Sequence, residues 1–547
     1  WAGHSDTETI AEYINKFGID RFRQNADGMY ALAALNIPSK KLYLMRDNFG
    51  EKPLYFFSEH NNICFSSTLE AIKIYKKDNL EIDQNSVANF INYGFMPDNK
   101  SIYEKVISIS PGQMLQIEVM DNKFLVTSKK NNLYKNNQNV IIKKSDKNDL
   151  DEIENLISES IKSRLIGDLK VGCFLSGGID SSLVAALAQK HLNGTLETFS
   201  IGFESSGFDE SIFAQEVAEI LQTKHKSYFL EDKDILKVAT NLKFAFDEPF
   251  ADQSQLAMLF LCDKVRHEGD LKVALSGDGG DELFCGYNRY TNGYDLYKTL
   301  KGNNLLRKSL FILKLTPFEF IDRILHSLPR KIRFSATRNL AFKLRKVLNC
   351  KNLESYYETL ISRDNKNIIK DQVLINKLQN SLIEKISNIL SDFEDKDPRT
   401  KLMIIDEKIY LPNDILVKSD RSSMNFGLEV RSPFLEPNIH NWCRTKGEKI
   451  QYSNNKSKYV LKRLLAKNIP NYKFDRPKMG FGVPLDYWLR TCLKDWAETI
   501  IFSKNLKNDP IINNNILLKK WNNHLKGQSQ ALSLWPVIIY GSWRYNI

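Results

Sequence analysis

The chain has 547 residues, 42% hydrophobic and 26% charged, the balance of a soluble protein too long for one ordinary core. Its net charge of +11 is a small difference between 77 basic and 66 acidic residues, with no basic and aromatic motif beside it, which argues against a nucleic-acid partner. No stretch approaches the roughly 18 apolar residues of a membrane span, and the seven scattered cysteines lack any Cys-x-x-Cys pair, so a reducing cytoplasm is expected rather than a disulfide framework.

The chain opens Trp1-Ala2-Gly3-His4-Ser5-Asp6 with neither Met nor signal region, and reads as one entered partway through. Over Thr7 to Phe17, Ile10, Tyr13, Ile14 and Phe17 share one helical face, with Ser5 or Asp6 available as cap. Short apolar runs then alternate with polar turns, Met29 to Leu35, Lys41 to Met45, Leu54 to Phe57 and Ile63 to Phe65, and predict successive strands under that helix. Ser128 to Asp149 is dense in Lys, Asn and Ser and predicts a linker. Beyond it a helix to about Leu165 precedes strand Val171 to Leu175, helix Ser181 to His191, strand Glu197 to Phe203, helix Asp209 to Leu221 and strand Lys272 to Leu275. Such alternation implies a parallel sheet covered by helices, with ligands at the carboxyl ends of its strands. From Ile321 the pattern is mainly helical. The eight histidines show no His-x-x-x-His spacing, so no metal site of protein ligands alone is visible.

The most informative segment is Gly172-Cys173-Phe174-Leu175-Ser176-Gly177-Gly178-Ile179-Asp180-Ser181-Ser182. It reads as a strand, a glycine turn whose N–H groups can close on an anion, and a helix start facing that anion. No Gly-Lys-Ser/Thr follows, so the lysine of the Walker loop is missing. The arrangement resembles the pyrophosphate loop of ATP pyrophosphatases, which split ATP between the α and β phosphates. A second turn, Ser276-Gly277-Asp278-Gly279-Gly280-Asp281-Glu282, follows strand Lys272 to Leu275. Its acids could simply cap a helix in solvent. Beside phosphates, however, carboxylates need a cation between, and Asp281 with Asp180 are the candidate Mg²⁺ ligands.

Together the motifs resemble the glutamine-hydrolysing asparagine synthetases of the asparagine synthase B type. The likeness runs through Ser5-Asp6-Thr7-Glu8, Arg46-Asp47-Asn48-Phe49-Gly50-Glu51-Lys52-Pro53-Leu54-Tyr55, the two loops, and Asp247-Glu248-Pro249-Phe250-Ala251-Asp252. It continues through Leu411-Pro412-Asn413-Asp414 with Lys418-Ser419-Asp420-Arg421, through Leu428-Glu429-Val430-Arg431, and through Arg476-Pro477-Lys478-Met479-Gly480. The resemblance implies an α/β chain with two domains. Residues 1–130 would be a truncated glutamine amidotransferase type 2 domain of the class II glutaminase (Ntn, αββα) kind. Residues 150–547 would be an ATP pyrophosphatase-like parallel-sheet synthetase domain with a helical carboxyl-terminal part. It further implies that Asp6 holds the α-ammonium of glutamine, and that Ser176, Gly177, Gly178, Asp180, Ser181 and Ser182 hold pyrophosphate. Leu175, Ile201, Ser276 and Gly277 would line the adenosine site. Lys478 would balance charge as pyrophosphate departs. Asp278 stands where the family more often has Glu, so its task of orienting or deprotonating the amine is carried by a shorter arm. Glu429 and Arg431 could meet the acceptor or form an internal ion pair.

A carboxylate does not react with ammonia at neutral pH, which is the chemical reason for adenylation. The implied reaction converts ATP and aspartate to β-aspartyl-AMP, and ammonia from glutamine then gives asparagine and AMP, with ATP and Mg²⁺ as cofactors and a homodimer possible. The first residue is Trp and no cysteine lies near it, so the expectation for the chain as given is ammonia-dependent synthesis without glutaminase activity. The rivals are a relative that amidates another carboxylate, such as a sugar uronic acid, and a non-catalytic binding protein on the same fold.

Overall fold

The computed structural model describes the chain apart from residues 1, 2, 4, 60, 61, 121, 122, 131–145, 168, 193, 204–208, 303–346, 349, 364, 448–450, 454, 455, 471, 473, 475–481 and 547. The middle of the expected linker, the start of the helical third and Lys478 therefore lie outside the described residues.

The first helix runs Asp6–Phe17, and the Ser5 hydroxyl caps it by accepting the Thr7 N–H at 3.1 Å. Its apolar face packs Ile10, Tyr13 and Ile14 on Phe22, Met45 and Met114. The strands beneath are β1 (Ala31–Asn36), β2 (Lys41–Arg46), β3 (Tyr55–Glu59), β4 (Asn62–Ser66), β5 (Val106–Ser108), β6 (Gln113–Met120) and β7 (Lys123–Lys130). They form two antiparallel sheets, in the orders β1-β2-β6-β7 and β4-β3-β5. Leu44, Leu115 and Ile117 of the first sheet share a core with Phe56 of the second, so the sheets stack face to face. On the far side, Phe57 meets Leu69 and Ile72 of helix Leu69–Tyr75 and Val87 of helix Gln84–Tyr93. The layers run helix, sheet, sheet, helix.

The later part holds a parallel sheet of β8 (Val171–Phe174), β9 (Glu197–Phe203), β10 (Lys224–Leu230), β11 (Val273–Leu275) and β12 (Glu429–Arg431). Its order is β10-β9-β8-β11-β12, and every neighbouring pair is parallel. Helices Asp146–Leu165, Ile179–His191 and Tyr459–Asn468 cover one face through Ile157, Leu183, Val184 and Leu461. The other face buries Phe199, Ile201 and Tyr228 against helix Gln255–His267. No helix among the described residues is long and apolar enough to cross a membrane.

The two parts meet through a loop that its own polar groups make rigid. The Asp47 carboxylate accepts the N–H groups of Phe49, Gly50, Glu51 and Lys52 at 2.7–3.1 Å. The buried Arg46 guanidinium donates to the carbonyls of Gly50, Lys52 and Ile109. Thus braced, the loop presses Phe49 among Leu411, Leu416 and Leu435 and extends Lys52 to Asp420 at 3.1 Å. Asp247 and Glu248 answer from the other side, accepting the N–H groups of Leu69 at 3.0 Å and Ile102 at 2.8 Å. Asp406–Ile415 winds as a π-helix containing Pro412, which has no N–H to donate and disfavours a regular α-helix, and it delivers helix Leu416–Met424 toward the sheet.

Candidate active site

Strands β8 and β11 are neighbours, Val171 opposite Val273, so the turns that follow them emerge side by side at the carboxyl edge of the sheet. Gly177 has φ +68°, and a Cβ there would stand 2.6 Å from the Phe213 carbonyl carbon, so both backbone hand and space call for glycine. A Cβ on Gly277 would lie 2.9 Å from the Asp180 Cβ, which shows how closely the second turn lies on the first. Within the first turn the Ser181 hydroxyl accepts the Ser176 N–H at 3.2 Å, and the Ser176 hydroxyl accepts the Gly178 N–H at 3.3 Å. The helix Ile179–His191 then points its amino terminus at the opening.

The opening is a cavity of about 380 Å³. Leu175, Ser176, Gly177, Gly178, Asp180 and Ser181 line it from the first turn, Ile201 from β9, and Ser276, Gly277, Asp278 and Asp281 from the second. Of the described residues expected at the nucleotide, Ser182 is not on its wall. It is fully buried inside the helix. Asp6, expected at glutamine and not in this cavity, is exposed on the first turn of the amino-terminal helix, and Lys478 lies outside the described residues. Of the two readings open for Glu429 and Arg431, the structure shows the ion pair, 2.6 Å long, and neither residue lines the cavity.

Two lysines to which the sequence assigned no role, Lys458 and the motif residue Lys418, stand at the centre. Lys458 Nζ bridges Asp180 and Asp281, the second contact being 2.6 Å, with its side chain 5% exposed. Burial pulls its ammonium toward the neutral form, yet the two carboxylates prevail and hold it more firmly protonated than usual. Gly286 leaves room for this cluster, since a Cβ there would fall 1.8 Å from Asp281 Oδ1 and 2.3 Å from Lys458 Cε. The only local sign of Lys458 was a lysine directly before an apolar helix. Lys418 reaches from the helix after Pro412, donates to the Ser254 hydroxyl at 3.0 Å and stands 3.5 Å from Asp252. It too is kept protonated against burial, by Asp252, Asp414 and Asp278. Asp278 is held in place by hydroxyl donors, Ser276 at 3.0 Å and Ser419 at 2.7 Å, both on Oδ2. The next acid, Glu282, is pushed up to about 8 by burial and by the neighbouring Asp281.

Asp180 and Asp281 fit a magnesium ion in kind. Both offer hard oxygens, and they converge closely enough to share one cationic atom. Among the described residues no group of three or more acids, histidines or cysteines is arranged to hold a metal. Magnesium on one or two carboxylates plus phosphate oxygens needs no such group.

Residues 1–129 match the glutamine amidotransferase domain family and residues 152–544 match the asparagine synthase family. A nitrogen-donor module joined to a parallel sheet with an anion-ready edge defines a glutamine-dependent carbon–nitrogen ligase. The chain belongs to the asparagine synthase family. It is 26% identical to asparagine synthetase [glutamine-hydrolyzing] 1 of Bacillus subtilis over 98% of this chain and 80% of that protein. It is 30% identical to a putative asparagine synthetase of Methanocaldococcus jannaschii over 77% of this chain and 76% of that one. Among solved structures, the NH3-dependent NAD synthetase of Campylobacter jejuni overlaps 37% of this chain and 98% of its own at 16% identity, with a TM-score of 0.19 too slight to carry an argument.

Proposed function

We propose that the chain adenylates the β-carboxylate of aspartate with ATP and amidates the resulting β-aspartyl-AMP, with nitrogen derived from glutamine, to give asparagine, AMP and pyrophosphate. The observation that carries this reading is the convergence of both glycine turns, two acids and Lys458 on one cavity. Ser176, Gly177, Gly178 and Ser181 would offer N–H and O–H groups to pyrophosphate, beside an ammonium on Lys458 that needs no rearrangement as charge leaves. Leu175, Ile201, Ser276 and Gly277 would face adenosine. Asp180 and Asp281 would hold Mg²⁺, which when bound neutralises phosphate oxygens. Asp278, fixed by two hydroxyls, would orient the incoming amine, and Asp6 and Lys478 keep their expected roles at glutamine and pyrophosphate. Residues 1–130 and 150–547 would be the glutaminase and synthetase units, the first of the Ntn kind that its helix–sheet–sheet–helix order suits. The braced loop carrying Phe49 and Lys52 would couple the two.

Pyrophosphate release with ATP and Mg²⁺, measured with aspartate against a panel of carboxylates that includes a sugar uronic acid, tests the proposal. Aspartate should be the preferred acceptor. Inertness toward aspartate with turnover of another acid would replace it by that amidation.

A further inference from the structure

Three lysines among the described residues line the ATP cavity, and two of them are held by acids. Lys458, 5% exposed, lies between Asp180 and Asp281. Lys418, 12% exposed, lies beside Asp252. The third, Lys462, is half-buried and stands one turn beyond Lys458, its N–H donating to the Lys458 carbonyl at 2.9 Å. Its placement follows from the packing of its helix. Leu461, Leu464 and Leu465 of helix Tyr459–Asn468 bury with Leu183 and Val184 of helix Ile179–His191, the helix that follows the first glycine turn. The two run side by side in the same direction, since Lys458 meets Asp180 where both begin and Lys190 meets Asn468 where both end. Both amino termini therefore face the cavity. A side chain on an α-helix leans toward the amino terminus, so Lys462 leans back toward the first glycine turn. The wall also carries four acids, Asp180, Glu210, Asp278 and Asp281, and a triphosphate entering there needs more positive charge than two engaged lysines supply. In a Walker loop that charge comes from a lysine inside the loop itself, which this chain lacks.

We propose that Lys462 binds the terminal phosphate of ATP, and then the outer phosphate of the departing pyrophosphate, so that the lysine missing from the loop arrives from the neighbouring helix. This rests on the proposed function and deepens it. The contact is made to the leaving end of the nucleotide, and AMP, which keeps only the α-phosphate, makes no use of it.

Lys462→Met removes the charge and keeps the arm, with Lys462→Gln in its place if that protein does not fold. Lys462→Arg keeps the charge. Arg463→Met removes the next charge along, on an exposed residue that does not line the cavity. Calorimetric titration of the whole chain with pyrophosphate and with AMP, each with Mg²⁺, reads binding without turnover. Lys462→Met should weaken pyrophosphate about tenfold and leave AMP within about twofold, Lys462→Arg should recover most of the loss, and Arg463→Met should match the wild type. In aspartate-dependent turnover the KM for ATP should rise at least about fivefold, with the KM for aspartate within about twofold. A pyrophosphate affinity within about twofold of the wild type in folded Lys462→Met protein overturns the assignment. An equal loss for AMP overturns it too, because Lys462 would then support the cavity rather than bind a phosphate, and an equal loss in Arg463→Met would leave only the long-range field of the helix. Wild-type protein that does not bind pyrophosphate sinks the assignment, and one that binds neither ligand sinks the nucleotide cavity with it. Pyrophosphate binding that depends on Lys462, without turnover of aspartate, sinks the proposed reaction and leaves Lys462 in place.

Discussion

Replacing Lys458 with Met removes the ammonium between Asp180 and Asp281 and keeps the length of the chain. Two partly buried acids then face each other without a cation between them, in a cluster that Gly286 packs closely. Breaking a buried pair costs about 3–5 kcal/mol. The loss has a ceiling, because one acid can take up a proton: for a carboxyl of ordinary pKa near 4 this costs about 4 kcal/mol at pH 7, and about 1.4 kcal/mol less for each unit of acidity. With an unfolding entropy of roughly 2.1 cal/mol/K per residue over the roughly 390 residues of the synthase match, about 0.8 kcal/mol corresponds to one degree. A fall of about 4–5 °C in melting temperature at pH 7 is therefore expected. The sign with pH follows from linkage: the proton taken up raises an acid's folded pKa, so the variant's deficit shrinks toward pH 5.5 and grows toward pH 8. Millimolar Mg²⁺ should restore several degrees to the variant and little to the wild type. ATP–pyrophosphate exchange should fall by at least a hundredfold in the variant. Calorimetry across pH 5.5–8, with and without Mg²⁺, decides. A variant that melts within about 1 °C of the wild type at every pH would refute the placement of Lys458 as the counter-charge of these two acids.

Two further outcomes follow from the geometry. Glu248 has its pKa pushed up to about 7 by burial, in spite of the Ile102 N–H and with help from Asp247. The folded state therefore binds this proton more tightly than the unfolded chain. Stability present below about pH 4.5 is lost as pH rises toward 7, by up to about 3 kcal/mol, and Glu248→Gln should flatten that slope and melt higher than the wild type at pH 8. Thermal unfolding of both proteins at pH 5 and 8 reads it, and parallel pH slopes would contradict it. Gly177→Ala forces a side chain into positive φ and onto the Phe213 backbone. It should raise the KM for ATP at least about tenfold while fluorescence and circular dichroism stay native, and an unchanged KM would remove Gly177 from the nucleotide site.

What the sequence made legible was local. The turns after β8 and β11 announce themselves because glycine, serine and acid fall together after a buried strand, and the structure sets them on adjacent strands of one sheet. Strand β10 escaped because Lys224, His225, Lys226 and Ser227 read as polar, although Tyr228 and Leu230 are buried at the sheet's edge. Strand β12 escaped because three residues make no period, and only tertiary pairing with β11 makes them a strand. Lys458 was missed for a deeper reason. A counter-charge has no signature of its own, since any lysine will serve if the fold brings it there, and this one arrives 278 residues after Asp180. Its backbone has φ +52°, a hand that a lysine adopts only when its surroundings impose it. The positive φ and the buried ion pair point the same way: the fold bears a local strain to hold one cation where two acids and the anion cradle converge. Residue type and spacing thus identify the groups that touch an anion, whereas the charge that balances them is a property of the packed chain.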